Sequence, residues 1–313
     1  MAGKRVALAL GSGGARGYAH IGVINELHER GYEIVGIAGS SMGALVGGLQ
    51  AADKLDEFTD WAKSLTQRAV LRLLDPAITA AGVLRAEKIL DAVRDILGEV
   101  TIEELPIPYT AVTTDLITGK SVWLQRGPVD AAIRASIAIP GVITPHVLDG
   151  RLLADGGILD PLPMAPIAAV NADFTIAVSL SGSEAGGDEP TDSGSRARTE
   201  WLSRMWRSTT TLFDTSATRS GESDDELVDA AKEVSVPRLG SFEVMNRTID
   251  IAQAALARHT LAAYPPDLLI EVPRTACRSL EFHRAAEVID IGQELAAATL
   301  DLREKPEIPA LES

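Results

Sequence analysis

The chain has 313 residues, 46% of them hydrophobic and 4% aromatic, enough for one large core filled mainly by Ala, Leu, Ile and Val. A formal net charge of −15 excludes broad nucleic-acid binding, because a phosphate backbone would be repelled, and it disfavours attraction of the whole surface to anionic lipid. One cysteine, Cys277, excludes an internal disulfide and any cysteine-rich metal site; its expected place is that of a small buried hydrophobe.

In chain order, RVALAL (5–10) is a short apolar run closed by glycines and predicts a buried parallel strand. YAHIGVINELHERG (18–31) has helical spacing and ends at a glycine, as helices often do. EIVGIAG (33–39) predicts a second buried strand, and MGALVGGLQAAD (42–53) a helix packed closely through small residues. Strand, helix, strand and helix in such short succession predict a parallel sheet with right-handed crossovers. YTAVTTDL (109–116), FTIAVSL (174–180) and DLLIEV (267–272) read as further strands. EKILDAVRDILG (87–98), EVMNRTIDIAQAALARHTLAAY (243–264) and RAAEVIDIGQELAAATL (284–300) read as further helices.

These elements fit one catalytic domain over 1–313. Its compositional break is 181–200, rich in Gly, Ser, Asp and Glu and expected to be a mobile loop. In 201–216, residues set 100° apart gather Trp201, Leu202, Met205, Trp206, Leu212 and Phe213 on one side, with Arg204 and Arg207 opposite. Two readings stay open for it, a helix covering the core and a lid or interfacial helix touching lipid. Residues 305–313 are expected to be a flexible tail. No stretch approaches the roughly 20 apolar residues that span a bilayer, and the N-terminal apolar run is too short for a signal-peptide core. The expectation is a cytoplasmic protein, with peripheral contact at a membrane surface left open.

Ser41 stands in the pentapeptide GSSMG (39–43), between a predicted buried strand and a small-residue helix. That strand–turn–helix context is what a nucleophile elbow requires, with Gly39 and Gly43 expected to let the backbone turn sharply. The bland alternative is a helix-capping serine in a tight turn. GSGGARG (11–17) frees backbone amides to face an anion at a helix start. As a dinucleotide turn its third glycine falls at 17 instead of 16, and no acidic residue closes the second strand, so an oxyanion hole is the better use. For a base, four of the five histidines sit in helical patterns, and His146 is the one read as lying in a loop. Asp155, after the apolar pair Leu152 and Leu153, is a second candidate; partial burial would have to raise its pKa for it to act.

Together these stretches resemble the patatin-like phospholipase family. GSGGARG is similar to its glycine-rich oxyanion motif, with Gly13 and Gly14 on the amide-donating positions and Arg16 on the basic one. GSSMG resembles its nucleophile elbow, ASIAIP (135–140) its Ala-Ser-x-x-x-Pro segment, and DGG (155–157) the motif that carries its dyad aspartate, with Gly156 and Gly157 in support. The tail, with PDLLIEVP, resembles bacterial members and those related to neuropathy target esterase. One departure is Ser12, where many relatives have another glycine.

The resemblance implies a three-layer α/β/α sandwich with a mainly parallel sheet. It also implies a Ser41–Asp155 dyad, no histidine base, and neither cofactor nor metal. Hydrolysis of phospholipid or lysophospholipid esters through an acyl-enzyme is the implied activity. Its rivals are acyl transfer from the same intermediate and an inactive lipid-binding or interaction protein.

Overall fold

The computed structural model describes residues 4–73, 87–140, 142–182 and 241–304. By internal packing the chain divides into a main body, 1–182 with 247–313, and a second unit, 183–246. The expected helix at 201–216 and the tail at 305–313 lie outside the described residues, as does the expected loop at 181–200 apart from Ser181 and Gly182, which end a strand.

Eight strands form one sheet: β1 (Arg5–Leu10), β2 (Glu33–Ser40), β3 (Tyr109–Asp115), β4 (Lys120–Leu124), β5 (His146–Leu148), β6 (Arg151–Asp155), β7 (Phe174–Gly182) and β8 (Leu268–Pro273). β3, β2, β1, β7 and β8 are neighbours in that order, all parallel, while β4 and β6 pair antiparallel with β3 and β5 pairs antiparallel with β6. The described helices are α1 (Ala19–Glu29), α2 (Met42–Ala51), α3 (Leu55–Ser64), α4 (Gln67–Leu73), α5 (Glu87–Leu97), α6 (Val129–Ser136), α7 (Ser241–Ala263) and α8 (Ala285–Glu304).

Successive side chains of a strand point to opposite faces, and β1 shows both being buried. Val6, Leu8 and Leu10 join a large cluster with Ile21, Ile24 and Leu27 of α1, Leu45 and Leu49 of α2, and Val288 and Leu300 of α8. Ala7 and Ala9 join a smaller one with Ala38, Ala177, Leu162, Met164, Ile167 and Ala257 of α7. Helices therefore cover both faces, which is the expected three-layer α/β/α sandwich. Each leucine-sized side chain buried in such a layer contributes about 1.5–3 kcal/mol of transfer free energy.

Among the described residues, no helix is long and apolar enough to cross a membrane. Cys277 is buried, as expected of a small hydrophobe.

Candidate active site

The glycine-rich loop leaves β1 pinned by main-chain bonds on three sides. The Gly11 amide donates to Val178 O at 3.0 Å, the Ser12 amide to Pro161 O at 2.8 Å and the Ala15 amide to Ser279 O at 2.9 Å. Between them Gly14 takes φ 58°, and an added Cβ would meet Ser279 O at 2.5 Å, so this position needs glycine on two counts. Ser12 has no positive φ, so serine sits there without the strain that its departure from glycine raised as a question. The chain then forms a 3-10 turn, Gly14–Tyr18, before α1 begins. Arg16 is buried in that turn; its Nε donates to Gly13 O at 3.1 Å and its Nη2 to Asp250 Oδ1 of α7 at 2.8 Å. Among the described residues, no acceptor outside the turn takes the Gly13 or Gly14 amide.

β2 runs into Ser41, whose φ of 56° and ψ of −122° are rare for a residue with a side chain and cost about 1–3 kcal/mol. Its carbonyl is held by the Ala44 and Leu45 amides at 2.9 and 3.1 Å. Gly39 and Gly43 have no positive φ, which corrects the expectation that they serve the turn by conformational freedom. Their reason is contact: a Cβ at Gly39 would strike the Gly43 carbonyl, and one at Gly43 the Leu10 carbonyl. Only bare backbone lets α2 start this close to β1 and β2.

Register brings Asp155 to the serine. Ala111 and Val112 of β3 pair with both β2 and β4, which must therefore lie on opposite edges of β3. Thr113 to Asp115 pair with both β4 and β6, so β6 shares the edge of β2. Parallel β2 stops at Ser40 opposite Val112, and antiparallel β6 stops at Asp155 opposite Thr113. The two strand ends meet head to head along one edge, and Ser41 Oγ donates to Asp155 Oδ2 at 2.6 Å. Asp155 Oδ1 accepts the Gly157 amide at 2.7 Å. The carboxyl is 2% exposed, and burial pushes its pKa up to about 6 although the bonds from Ser41 and Gly157 pull it down. Gly156 and Gly157 are again contact glycines: a Cβ would strike Val112 O at the first, and Ser12 and Gln253 side chains at the second.

His146 is not in a loop. It lies in β5 opposite Leu153, where its Nδ1 accepts from Arg134 Nε at 3.2 Å, and burial first and Arg134 second lower its pKa. His20 is fully buried against Gly11 O at 2.8 Å, with its pKa lowered to about 4 by burial. Among the described residues, no three His, Cys, Asp or Glu side chains are grouped to hold a metal ion.

Beside Ser41 and Gly14 opens a cavity lined almost wholly by hydrocarbon, with Tyr18, Leu45, Phe58, Trp61, Val142 and Phe282 in its wall. Phe58 stacks toward Trp61 at 5.6 Å between ring centroids, and Tyr18 meets Phe282 edge-on at 6.1 Å. Sequence reading missed this wall and the short elements behind it. The signal was present in the helical spacing of Leu55, Phe58 and Ala62, all buried in α3.

A sequence model of the Patatin family, described as patatin-like phospholipase, matches residues 8–168, which span both the glycine loop and Asp155. The chain belongs to the patatin-like phospholipase family. Among similar proteins, a Mycobacterium tuberculosis protein described as an uncharacterized NTE family protein is 67% identical over 95% of this chain and 91% of its own length. A second such M. tuberculosis protein is 35% identical over 58% of this chain and 31% of its own. The neuropathy target esterase sws of Drosophila melanogaster is 31% identical over 58% of this chain and 13% of that much longer one. Membership in this patatin-like and NTE group indicates a lipid hydrolase.

Proposed function

We propose that this patatin-like chain hydrolyses fatty-acyl esters of phospholipids or lysophospholipids through Ser41 and Asp155. The observation that carries the reading is the 2.6 Å bond to a buried carboxylate from the Oγ of Ser41, a residue that itself lines an apolar cavity. Ser41 Oγ attacks the ester carbonyl carbon as its proton passes to Asp155 Oδ2. The tetrahedral oxyanion is held by the Gly13 and Gly14 amides, each contributing about 3–4 kcal/mol by comparison with other hydrolases. Collapse breaks the ester C–O bond, and Asp155 returns the proton to the leaving alcohol. Water then attacks the acyl-enzyme, giving its proton to Asp155; the tetrahedral adduct collapses with cleavage of the acyl–Ser41 bond, Asp155 hands that proton to Ser41 Oγ, and the fatty acid is released. A carboxyl whose pKa lies near 6 is a far better base near neutral pH than a solvated aspartate, and burial supplies that shift. The cavity suits the acyl chain, since hydrocarbon lining gains by excluding water from it.

The test is burst kinetics on p-nitrophenyl butyrate with wild type, Ser41→Ala and Asp155→Asn, followed by product analysis on phosphatidylcholine and lysophosphatidylcholine micelles. Turnover lost in both variants and free fatty acid from either lipid support the reading. Full activity in Asp155→Asn would sink the dyad, and an inert wild type on every ester would sink the hydrolase.

A further inference from the structure

The end of α6 touches both halves of the site. Ser136 is fully buried, and its Oγ lies 2.9 Å from the Ser41 amide nitrogen and 2.6 Å from Val112 O. An amide can only donate and a carbonyl can only accept, so the polarity is fixed: the hydroxyl receives the Ser41 N–H and spends its one proton on Val112. Two residues later, Ala138 O accepts the Asp155 amide at 2.9 Å. Two residues of one short stretch thus hold the site backbone, Ser136 that of Ser41 and Ala138 that of Asp155. Val112 is also the β3 residue opposite Ser40, at the junction where β2 and β6 meet.

Ser41 needs such a grip. Its conformation is disfavoured and persists only where the surroundings over-determine it. α2 secures its carbonyl through Ala44 and Leu45, but the amide of a residue at a helix start has no partner within the helix. At 1% exposure no bulk water substitutes for that partner. Ser136 is the acceptor this buried amide has among the described residues.

We infer that Ser136 is a positioning residue whose hydroxyl holds Ser41 in its strained conformation and so aims Oγ at Asp155, an inference that rests on the Ser41–Asp155 reading above. Ser136 touches no reacting atom; it acts through the nucleophile. Without its hydroxyl the Ser41 amide is left buried and unpaired, and the elbow relaxes toward an ordinary helix-start geometry that carries Oγ away from the carboxylate.

Kinetics, pH profile and a crystal structure of Ser136→Ala in the full chain test this. With the folded fraction set by circular dichroism and thermal melting, kcat on p-nitrophenyl butyrate falls roughly 10- to 100-fold while KM changes little. The acid limb of kcat moves to higher pH, because the bond from Ser41 that holds the Asp155 pKa down is weakened. Ser136→Thr, which keeps the hydroxyl, recovers most of the rate. If Ser136→Ala does not accumulate folded, the isosteric and weaker acceptor in Ser136→Cys takes its place. Loss of rate in proportion to lost folded protein, with the acid limb unmoved, overturns the inference. So does a variant crystal structure in which Ser41 keeps its positive φ and its bond to Asp155, whatever the activity. Failure of the dyad itself is seen separately, as activity surviving in Asp155→Asn.

Discussion

Asp155 shows how one residue sets chemistry and stability against each other. An isolated carboxyl ionises near pH 3.8, whereas this one, buried, does so near 6. Between those values the folded state holds a proton that the unfolded chain has released, so stability falls as pH rises through that window and stays lower above it. Asp155→Asn removes the buried charge and keeps an acceptor for the Gly157 amide. At pH 8 it is expected to be more stable than wild type by up to about 3 kcal/mol, the difference vanishing below about pH 4; denaturant melts at both pH values check this. Wild-type kcat on p-nitrophenyl butyrate is expected to rise through an acid limb near pH 6, since the base must be unprotonated. At this scale Ser41 and Asp155, which the structure brings to 2.6 Å, could be picked out beforehand because each sits in a short motif. The segment ASIAIP that holds Ser136 was marked too, but not what its hydroxyl does, because that acts on the backbone of a residue 95 positions away. The reason for Gly39 and Gly43 was also misread: close approach of carbonyls is a tertiary fact that a turn motif does not carry.

At the scale of elements, α1 and α8 lie close enough for backbone to touch backbone. A Cβ at Gly22 would strike the Ile289 carbonyl, and one at Gly292 the Ala19 carbonyl. Gly292→Leu is expected to cost about 1–3 kcal/mol or more, read as a lowered thermal midpoint, because neither helix can retreat without opening the core between them. A midpoint unchanged by this substitution would mean that the pair is loosely packed. The buried parallel strands and the longer helices were readable from apolar runs and helical spacing. β4, β5, β6 and α6 were not read as elements. β5 has three residues and β4 is largely exposed, so their conformation comes from pairing with β6 and β3 respectively more than from any pattern of their own. That is also why His146 read as loop: its strand exists only opposite β6.

At the scale of the whole molecule, a chain of net charge −15 holds a cavity lined almost wholly by hydrocarbon. Filling that cavity is expected to discriminate among substrates by length. Val142→Trp should lower kcat/KM for p-nitrophenyl decanoate at least about tenfold more than for the butyrate, one or two methylene-sized contacts being worth that much. Equal losses on both esters would place the acyl chain elsewhere. The head-to-head meeting of β2 and β6 on β3 has a further consequence, in time instead of space. Ser41 and Asp155 are 114 residues apart in the chain. At ordinary synthesis rates of about 5–20 residues per second, Ser41 leaves the ribosome roughly 6–23 s before Asp155. Throughout that interval the Ser41 hydroxyl has no Asp155 carboxylate to pair with, and their 2.6 Å bond can form only once β6 has joined β3.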